Sequence, residues 1–565
     1  MPVSHHKFYS RLAIALIGAL AGAAVFLLVY GTATLHPTWD EWILNGYDEW
    51  DVQQHYAGWV LFRNSHWAFP LGLADTIASP DGTVITYTDS LPWVSIFFKL
   101  LRGVLPSTFQ FFGWYTLGCF ALQGAAGALL CTRGMGGKTS LAFAGLGGLL
   151  FACLPTLWER AFRHVALASH FLYLFALYGY LEYRQALRQG RKPLPWIFPL
   201  LAFIAVGIHP YFLPLVMICA LCAAIDRGRI AHGWAAAAGQ FGVSLAAALA
   251  GGLLCGAIGF SDGASRAGYG DFSMNLNAIF NPSSRGGYTW SRLLPVLPQQ
   301  GGQYDGFNYL GLGVLLLIGF GLIWAAVTAA ARRGEVVGWW RRNGPLLSCC
   351  VFLTLFAASN KIYWGNAGVE LPLPSWLAEL CGIFRSSGRM FYLVGACMVL
   401  FGVYTLRSAL AGRGGVLLCA ALALAVAVQG WDLSAVAAEK RALFDAEINA
   451  TVVNNEQTAN LGAGHTQLLA AGDIREDRLR LLAILAGKQG LSTNLDISVS
   501  GSHPGAAASI EQAAALLESG SYDPTAVYVT TDGAQWEGWQ QIFAEDAGVT
   551  FFVADSCYFM VPAAG

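Results

Sequence analysis

Charged side chains are scarce in this chain of 565 residues. Asp, Glu, Lys and Arg together make up 12% of it, whereas hydrophobic residues make up 55%. Soluble globular domains are nearer a quarter charged, so the composition excludes a string of ordinary soluble domains. The formal net charge of -1 gives no sign of the basic surface that nucleic-acid binding requires. The composition is typical of a polytopic membrane protein.

Two common catalytic motifs are absent as well. The sequence contains no Walker-type phosphate loop and no His-Glu-x-x-His zinc motif. Nucleotide-driven chemistry on the cytoplasmic side is therefore not expected. Most of the 12 cysteines fall within apolar runs, where cysteine acts as small apolar filler.

Long apolar runs recur between residues 12 and 430. A helix of about 20 residues crosses the roughly 30 Å of hydrocarbon in a bilayer. The sequence predicts about eleven membrane-spanning helices, at 12–31, 109–131, 139–158, 165–183, 196–208, 210–225, 234–260, 306–331, 345–359, 389–407 and 415–430. We expect the first run to be retained rather than removed as a signal peptide. The two short runs that flank His209-Pro210 are expected to form a broken pair, and 90–105 a helix lying in the membrane interface.

Lys and Arg are concentrated on one side of this predicted topology, at the chain start and in alternate loops. By the positive-inside rule that side is the cytoplasm, so the N-terminus is expected to be cytoplasmic. The other side receives a large first loop at 32–108 and an acidic tail. We therefore expect an all-α membrane domain over 1–431 and a small periplasmic α/β domain over 432–565. In the tail, helices are predicted near 478–486 and 510–517, and strands at 526–530 and 549–554.

The first outer loop is dense in acids. Asp48, Asp51 and His55 follow the spacing i, i+3, i+7, which places them on one face if the chain from Asp51 onward is helical. The apolar opposite face suits a helix that lies on the bilayer surface and holds carboxylates at headgroup depth. The alternative is that Asp51 only caps the helix. Asp89 either binds substrate or caps the interfacial helix that follows, and the cap is the favoured interpretation.

The second outer loop is basic, against the usual charge bias. Arg160, Arg163 and His164 therefore need partners. A phosphate or pyrophosphate suits the forked donors of arginine. The alternative is an internal ion pair with Glu159 or with acids of the first loop.

Further polar residues lie at or near predicted outer boundaries. His170 and His209 are costly inside spans, which favours a role in substrate binding over a role in packing. Arg385 and Arg389, four residues apart, are placed to face a headgroup phosphate, with snorkelling to lipid as the alternative. The other candidate substrate-binding residues in the later outer segments are Tyr304 and Lys361.

Several segments resemble an uncharacterised bacterial family of polytopic membrane proteins, whose members are similar in turn to GT-C glycosyltransferases. The resemblance covers most of the membrane part and rests on 51–59, 62–64, 67–72, 88–92, 280–282, 309–313 and 384–389. It implies a GT-C-like membrane domain in a bacterial inner membrane.

GT-C enzymes transfer a sugar from a polyprenyl-phosphate carrier to an acceptor on the outer face of the membrane. An acid in their first outer loop acts as base or orients the acceptor. The resemblance implies that Asp51 is this acid, with Asp48 as the nearest competitor and Glu49 as a substrate-binding neighbour. No metal ligand is assigned. Whether a divalent cation joins Asp48 and Asp51 is left open.

The resemblance implies three kinds of partner: a polyprenyl-phosphate-linked sugar donor, a glycan or lipid acceptor, and membrane lipids. Nucleic acid is not an expected partner. One alternative is a transporter or flippase of lipid-linked glycans, which would share the polar residues within spans and the broken helix. Another is a non-catalytic component of envelope polysaccharide assembly.

Overall fold

Helices dominate the structure, and a small β-sheet lies near its C-terminal end. A computed structural model describes residues 5–46, 51–136, 138–259, 268–331, 333–445, 449–499 and 503–563. Asp48 and Glu49, two of the predicted site residues, lie outside these ranges.

Up to residue 442 the described helices follow one another with few strands between them, and three more helices lie in the C-terminal part. They are α1 (His5–Tyr30), α2 (Glu41–Leu44), α3 (Asp51–Phe62), α4 (Pro92–Leu100), α5 (Phe112–Thr132), α6 (Lys138–Ala152), α7 (Pro155–Arg160), α8 (Phe171–Arg188), α9 (Ile197–Val206), α10 (Phe212–Ala231), α11 (Trp234–Cys255), α12 (Leu312–Ala331), α13 (Arg333–Ala358), α14 (Ser375–Gly382), α15 (Tyr392–Ala409), α16 (Gly415–Asp432), α17 (Ser434–Ala442), α18 (Glu476–Lys488), α19 (Pro504–Glu518) and α20 (Gly533–Ile542).

Seven helical stretches within the described residues are long and apolar enough to cross a membrane. They are Ser10–Tyr30, Phe112–Thr132, Val165–Arg188, Trp234–Cys255, Leu312–Ala330, Ser387–Ala409 and Gly415–Asp432. Each overlaps a predicted span, so the structure has the character of a multi-pass membrane protein.

The other four predicted spans contain shorter or more polar helices. The run at 139–158 is divided, because α6 ends at Ala152 and Pro155 starts α7. The ten residues of α9 extend about 15 Å, half the thickness of the hydrocarbon. The helix does break at His209-Pro210, as predicted, and α10 starts at Phe212.

Glycines bring α1, α5 and α6 into close contact. A Cβ atom on Gly148 would lie 2.8 Å from the Cα of Gly18 and 3.2 Å from the carbonyl oxygen of Gly124. Small residues at helix crossings allow the backbones to approach, and dispersion contacts then stabilise the bundle in lipid. The backbones of these three helices therefore pack directly against one another.

Arginines from four predicted cytoplasmic segments meet at one end of the bundle. Arg11 and Arg133 both bind Glu182, with N–O distances of 2.6 and 2.9 Å. Arg407 donates to the carbonyl of Arg133 at 3.0 Å, and Arg184 donates to Asn343. The basic ends of α1, α5, α8, α13 and α15 therefore face the same way, as the predicted topology requires.

The first loop folds into a compact unit rather than a surface layer. It holds α2, α3, α4 and the hairpin of β1 (Leu73–Ala74) and β2 (Thr83–Val84). In α3, every residue from Val52 to Phe62 is buried. The prediction that one face of this helix lies on the bilayer is therefore wrong.

A second hairpin, β3 (Lys361–Trp364) and β4 (Ala367–Glu370), follows α13, and the remaining strands form one sheet. They are β5 (Gln467–Ala470), β6 (Ser492–Thr493), β7 (Ala526–Thr530), β8 (Val549–Ala554) and β9 (Cys557–Pro562). The strand order is β6-β5-β7-β9-β8, with β5 parallel to β6 and β7, and β9 antiparallel to β7 and β8. The predicted tail helices lie within α18 and α19, and both predicted tail strands are confirmed.

The C-terminal unit docks directly on the first loop. Asn64 donates to the carbonyl of Gly487 at 2.6 Å, and the ammonium of Lys488 lies 2.9 Å from the carboxylate of Asp40. The backbone N–H of Val499 donates to the carbonyl of Tyr87 at 2.8 Å. The tail and the first loop therefore lie on the same side of the bundle, and α18 covers α3.

We expect Gly487→Ala to weaken this docking. The new Cβ would lie 2.6 Å from the Cγ2 of Val60 and 2.8 Å from its carbonyl carbon, so the backbones must separate. Overpacking of this kind costs about 1–3 kcal/mol. A lower midpoint of thermal unfolding in detergent, together with faster proteolysis between the tail and the bundle, would report the change.

Gly538→Ala is the matched control. Gly538 lies in α20, where an added Cβ meets nothing within 4 Å, and alanine favours a helix by about 1 kcal/mol over glycine. An unchanged midpoint in Gly487→Ala would contradict the tight packing of α18 on α3.

Candidate functional site

Three histidines surround one aspartate at the end of the bundle that faces the first loop. One oxygen of Asp89 lies 3.4 Å from the Nε2 of His164, and its other oxygen lies 3.4 Å from the Nε2 of His209. The ring of His55 meets that of His164 edge to face, with 4.9 Å between centroids. All three histidines are buried, and Asp89 is nearly so. The sequence predicted each of these residues for the site, and the structure brings them together.

A strained turn presents Asp89 to the histidines. Asp89 and Leu91 both have left-handed backbones, with φ of 53° and 54°, which is costly for residues other than glycine. Between them, the hydroxyl of Ser90 donates to the carbonyl of His55 at 2.8 Å. Gly58, one turn further along α3, leaves the space that this turn occupies.

Asp89 does not cap the helix that follows it. The N-cap position of α4 is Leu91, and no side chain bonds to the first turn. The favoured interpretation of Asp89 as a cap is therefore wrong, because its turn directs the carboxylate away from α4 and toward His164 and His209.

Interruptions between helices position His164 and His209. His164 lies between the end of α7 and a 3-10 turn at Val165–Ala168. His209 lies in the break between α9 and α10, and its Nδ1 accepts a hydrogen bond from the N–H of Tyr211 at 3.2 Å. An accepting Nδ1 puts the ring proton on Nε2, so that atom is the donor that faces Asp89.

Burial keeps the imidazoles neutral. Loss of solvent, reinforced by the neighbouring imidazole of His164, lowers the pKa of His55 to about 3. Burial likewise lowers the pKa of His164 to about 4, although the carboxylate of Asp51 opposes the shift. Burial also lowers the pKa of His209 well below its usual range, against the opposing charge of Asp89. At neutral pH these rings therefore offer lone pairs rather than positive charge.

A buried ion network lies beside the histidines. Asp305 binds two arginines, Arg160 at 2.7 Å and Arg389 at 3.0 Å. Arg160 also binds Glu159 at 2.7 Å and donates to the hydroxyl of Tyr392 at 3.0 Å. Of the two interpretations offered for Arg160, the internal ion pair is therefore the one present in the structure.

Further arginines surround Glu159. Arg285 binds its carboxylate at 2.9 Å, and the Nε of Arg163 lies 3.8 Å away. Burial alone would raise the pKa of Glu159, but the guanidinium groups of Arg160, Arg285 and Arg163 outweigh it and lower the pKa to about 2. Burial would also raise the pKa of Asp305, and Arg389 and Arg160 instead hold it far below its usual range.

Local backbone packing places Asp305 against Arg389. A Cβ on Gly388 would lie 2.5 Å from the Cα of Gly306, so two glycines next to the charged pair allow the chains to touch. The amide of Asn308 donates to the carbonyls of both glycines at 3.0 Å. The contact between Gly306 and Gly388 therefore brings together the two family-like segments, because Gly388 lies within 384–389 and Gly306 shortly precedes 309–313.

The acids of the first loop and the arginines share His164 as a neighbour. The pKa of His164 responds to Asp51 as well as to Arg389 and Arg160, so all three charges act at short range on one ring. Asp51 is half-buried and is the first residue of α3, one turn before His55. The predicted helical face of Asp51 and His55 is therefore present.

Other predicted residues lie elsewhere. Lys361 forms a surface ion pair with Asp271, and Arg385 is exposed beside the ring of Phe272. The contacts of the remaining two do not reach Asp89: Tyr304 is 40% exposed beneath the guanidinium of Arg285, and His170 is packed among Tyr173, Phe212 and Tyr392.

Sequence reasoning did not single out Asp305 or Arg285. Asp305 lies within the polar segment 303–311, but the candidate predicted from that segment was Tyr304. An excess of outer arginines over acids is the feature that would have indicated a buried acid in that segment.

Asp305→Asn should destabilise the protein strongly. Two guanidinium groups would lose their shared counter-charge in a buried setting, which costs about 3–5 kcal/mol. Asp271→Asn is the control, because its surface pair with Lys361 contributes at most about 1 kcal/mol. Thermal unfolding in detergent compares the two, and equal midpoints would show that the buried network is not stabilising.

A known protein family matches the part of the chain that holds this site. No curated protein matches the chain. The family model described as "Domain of unknown function (DUF6311)" matches residues 19–434. That range holds α3, the histidines, Asp89 and the ion network, and it ends before the C-terminal sheet. Since the match spans more than half of the chain, the protein belongs to the DUF6311 family.

Proposed function

We propose that the protein is a membrane glycosyltransferase of GT-C type, which moves a sugar from a polyprenyl-phosphate-linked donor to a glycan or lipid acceptor. One observation carries the proposal: the carboxylate of Asp51 in the first loop and the guanidinium groups of Arg160, at the end of α7, and Arg389, before α15, all act electrostatically on His164. A carboxylate and fixed cations at one membrane-proximal site are the groups that transfer from a lipid phosphate needs.

Asp51 is the proposed base. It takes the proton of an acceptor hydroxyl while that oxygen bonds to the anomeric carbon and the lipid phosphate leaves with the electron pair. A positioned base contributes about 10²–10⁴ in rate. Asp51 is half-buried at the start of α3, so its carboxylate is less solvated than a surface acid.

Arg163 and Arg389 are the proposed partners of the departing phosphate. Both lie beside buried acids, which hold the guanidinium groups in place before any substrate arrives. Charges oriented in advance stabilise a developing anion without further reorganisation.

The proposed topology has eleven spans, a cytoplasmic N-terminus and a periplasmic domain over 432–565, in a bacterial inner membrane. The arginine-rich end of the bundle supports it, since the positive-inside rule makes that end cytoplasmic. The site and the C-terminal sheet then belong to the opposite, periplasmic side.

A transporter or flippase of lipid-linked glycans is the second candidate. The helix break at His209-Pro210, with His209 directed at Asp89, is the observation that favours it. Discontinuous helices line many transport sites.

Asp51→Asn tests the proposed base. We expect the rate of transfer to fall at least about 100-fold, since an amide cannot accept the proton. The assay incubates the purified full chain with labelled polyprenyl-phosphate sugars and candidate acceptors, and separates the labelled products.

Asp75→Asn is the matched control, because Asp75 lies in the same loop and pairs with the exposed ring of His66. It should keep the wild-type rate. A folded Asp51→Asn protein with full activity would dismiss the base, and lipid-linked glycan crossing vesicles without any transfer would favour the flippase.

A further inference from the structure

Three ligand-type side chains of the site lie within reach of one another. One donor atom from each of His55, Asp89 and His164 lies within 4.8 Å of the donor atoms of the other two. They come from α3, from the turn before α4 and from the turn after α7. The fold thus assembles them from three separate parts of the chain.

One distance in the cluster already fits a bound ion. With metal–ligand bonds of about 2.0–2.1 Å, two ligands of a tetrahedral ion are about 3.3 Å apart. The Nε2 of His164 and the facing oxygen of Asp89 are 3.4 Å apart.

A ring nitrogen of the cluster is buried without a hydrogen-bond partner. It is the Nδ1 of His55, which has no partner among the described residues. His55 is only 1% exposed. A buried polar atom without a partner is costly, and a missing ligand is one of the few explanations.

His209 fits the role of a supporting residue. Its Nδ1 accepts from the backbone, which leaves Nε2–H to donate toward the second oxygen of Asp89. A hydrogen-bonded partner that orients a ligating group is typical of metal sites. His209 would hold Asp89 while its other oxygen faces His164.

From this geometry we infer that His55, Asp89 and His164 bind one divalent transition-metal ion of the zinc class, with His209 positioning Asp89. Two imidazoles and one carboxylate suit zinc or cobalt, whereas magnesium and calcium prefer oxygen ligands. Three protein ligands would leave one coordination position open, as in catalytic rather than structural zinc sites.

Electrostatics agree with a cation at this place. The nearby guanidinium groups of Arg160 and Arg389 are themselves shared with Asp305. A divalent ion would supply the positive charge that Asp89 faces.

The test measures metal binding by the full chain in detergent, purified with an affinity tag that lacks histidine. The protein is stripped with a chelator and titrated with Co²⁺ in the presence of excess Mg²⁺. We expect about one Co²⁺ per chain, with the visible absorption of a tetrahedral ion, and displacement by Zn²⁺. No sugar donor is present, so the result is separate from the proposed transferase activity.

Variants then locate the ion. Asp89→Asn, His164→Gln and His55→Gln should each lose the tetrahedral absorption, and His209→Gln should weaken Co²⁺ affinity by roughly 10–100-fold while keeping the site. The control is His503→Ala, which removes a buried histidine whose Nδ1 lies 2.8 Å from Asp496, outside the cluster. It should bind Co²⁺ like the wild type.

Absence of the tetrahedral absorption in the wild-type protein would overturn the inference, even if none of the variants folds. So would wild-type Co²⁺ binding in folded Asp89→Asn and His164→Gln, because the ion would then lie elsewhere.

Discussion

The shared ion pair of Asp305 with Arg160 and Arg389 is the contact on which the site depends. Charges taken out of water are tolerated only when they are paired and hydrogen-bonded. Here one carboxylate joins the end of α7, the segment before α12 and the segment before α15. Since His164 lies four residues after Arg160, the same contact fixes the turn that carries this imidazole.

The second constraint is the enclosure of α3. Elements of the first loop (α2, α4 and β1) pack against it, and α18 covers it, so every residue from Val52 to Phe62 is buried. His55 is thereby held against His164, and the carbonyl of His55 anchors the turn of Asp89 through Ser90. The position of the Asp89 carboxylate thus depends on the burial of α3, to which its turn is bonded.

Local sequence patterns predicted much of this structure. The start of α3 at Asp51, the break at His209-Pro210 and the strands 526–530 and 549–554 all agree with it. These features depend on neighbouring residues: helical spacing, a proline, and short β-branched or aromatic runs. The predicted topology placed Asp51, Asp89 and the arginines on the same outer side of the membrane, but it did not predict which of them are in contact.

What the patterns missed depends on distant contacts. Periodicity made α3 a surface helix, because nothing near residue 55 indicates that α18 covers it. Asp89 resembled a cap because Pro92 starts a helix, yet left-handed residues on either side of Ser90 turn the carboxylate elsewhere. Likewise, an arginine at an outer boundary does not reveal which acid neutralises it.

The docking of α18 on α3 also has a consequence for biosynthesis. Asn64 and Gly487, which bond to each other, are separated by 423 positions. At translation rates of about 5–20 residues per second, the interval between their syntheses is roughly 20–85 s. For that period the apolar surface of the first loop has no permanent cover, so the newborn chain must keep it from aggregating until its final segment has been made and has docked.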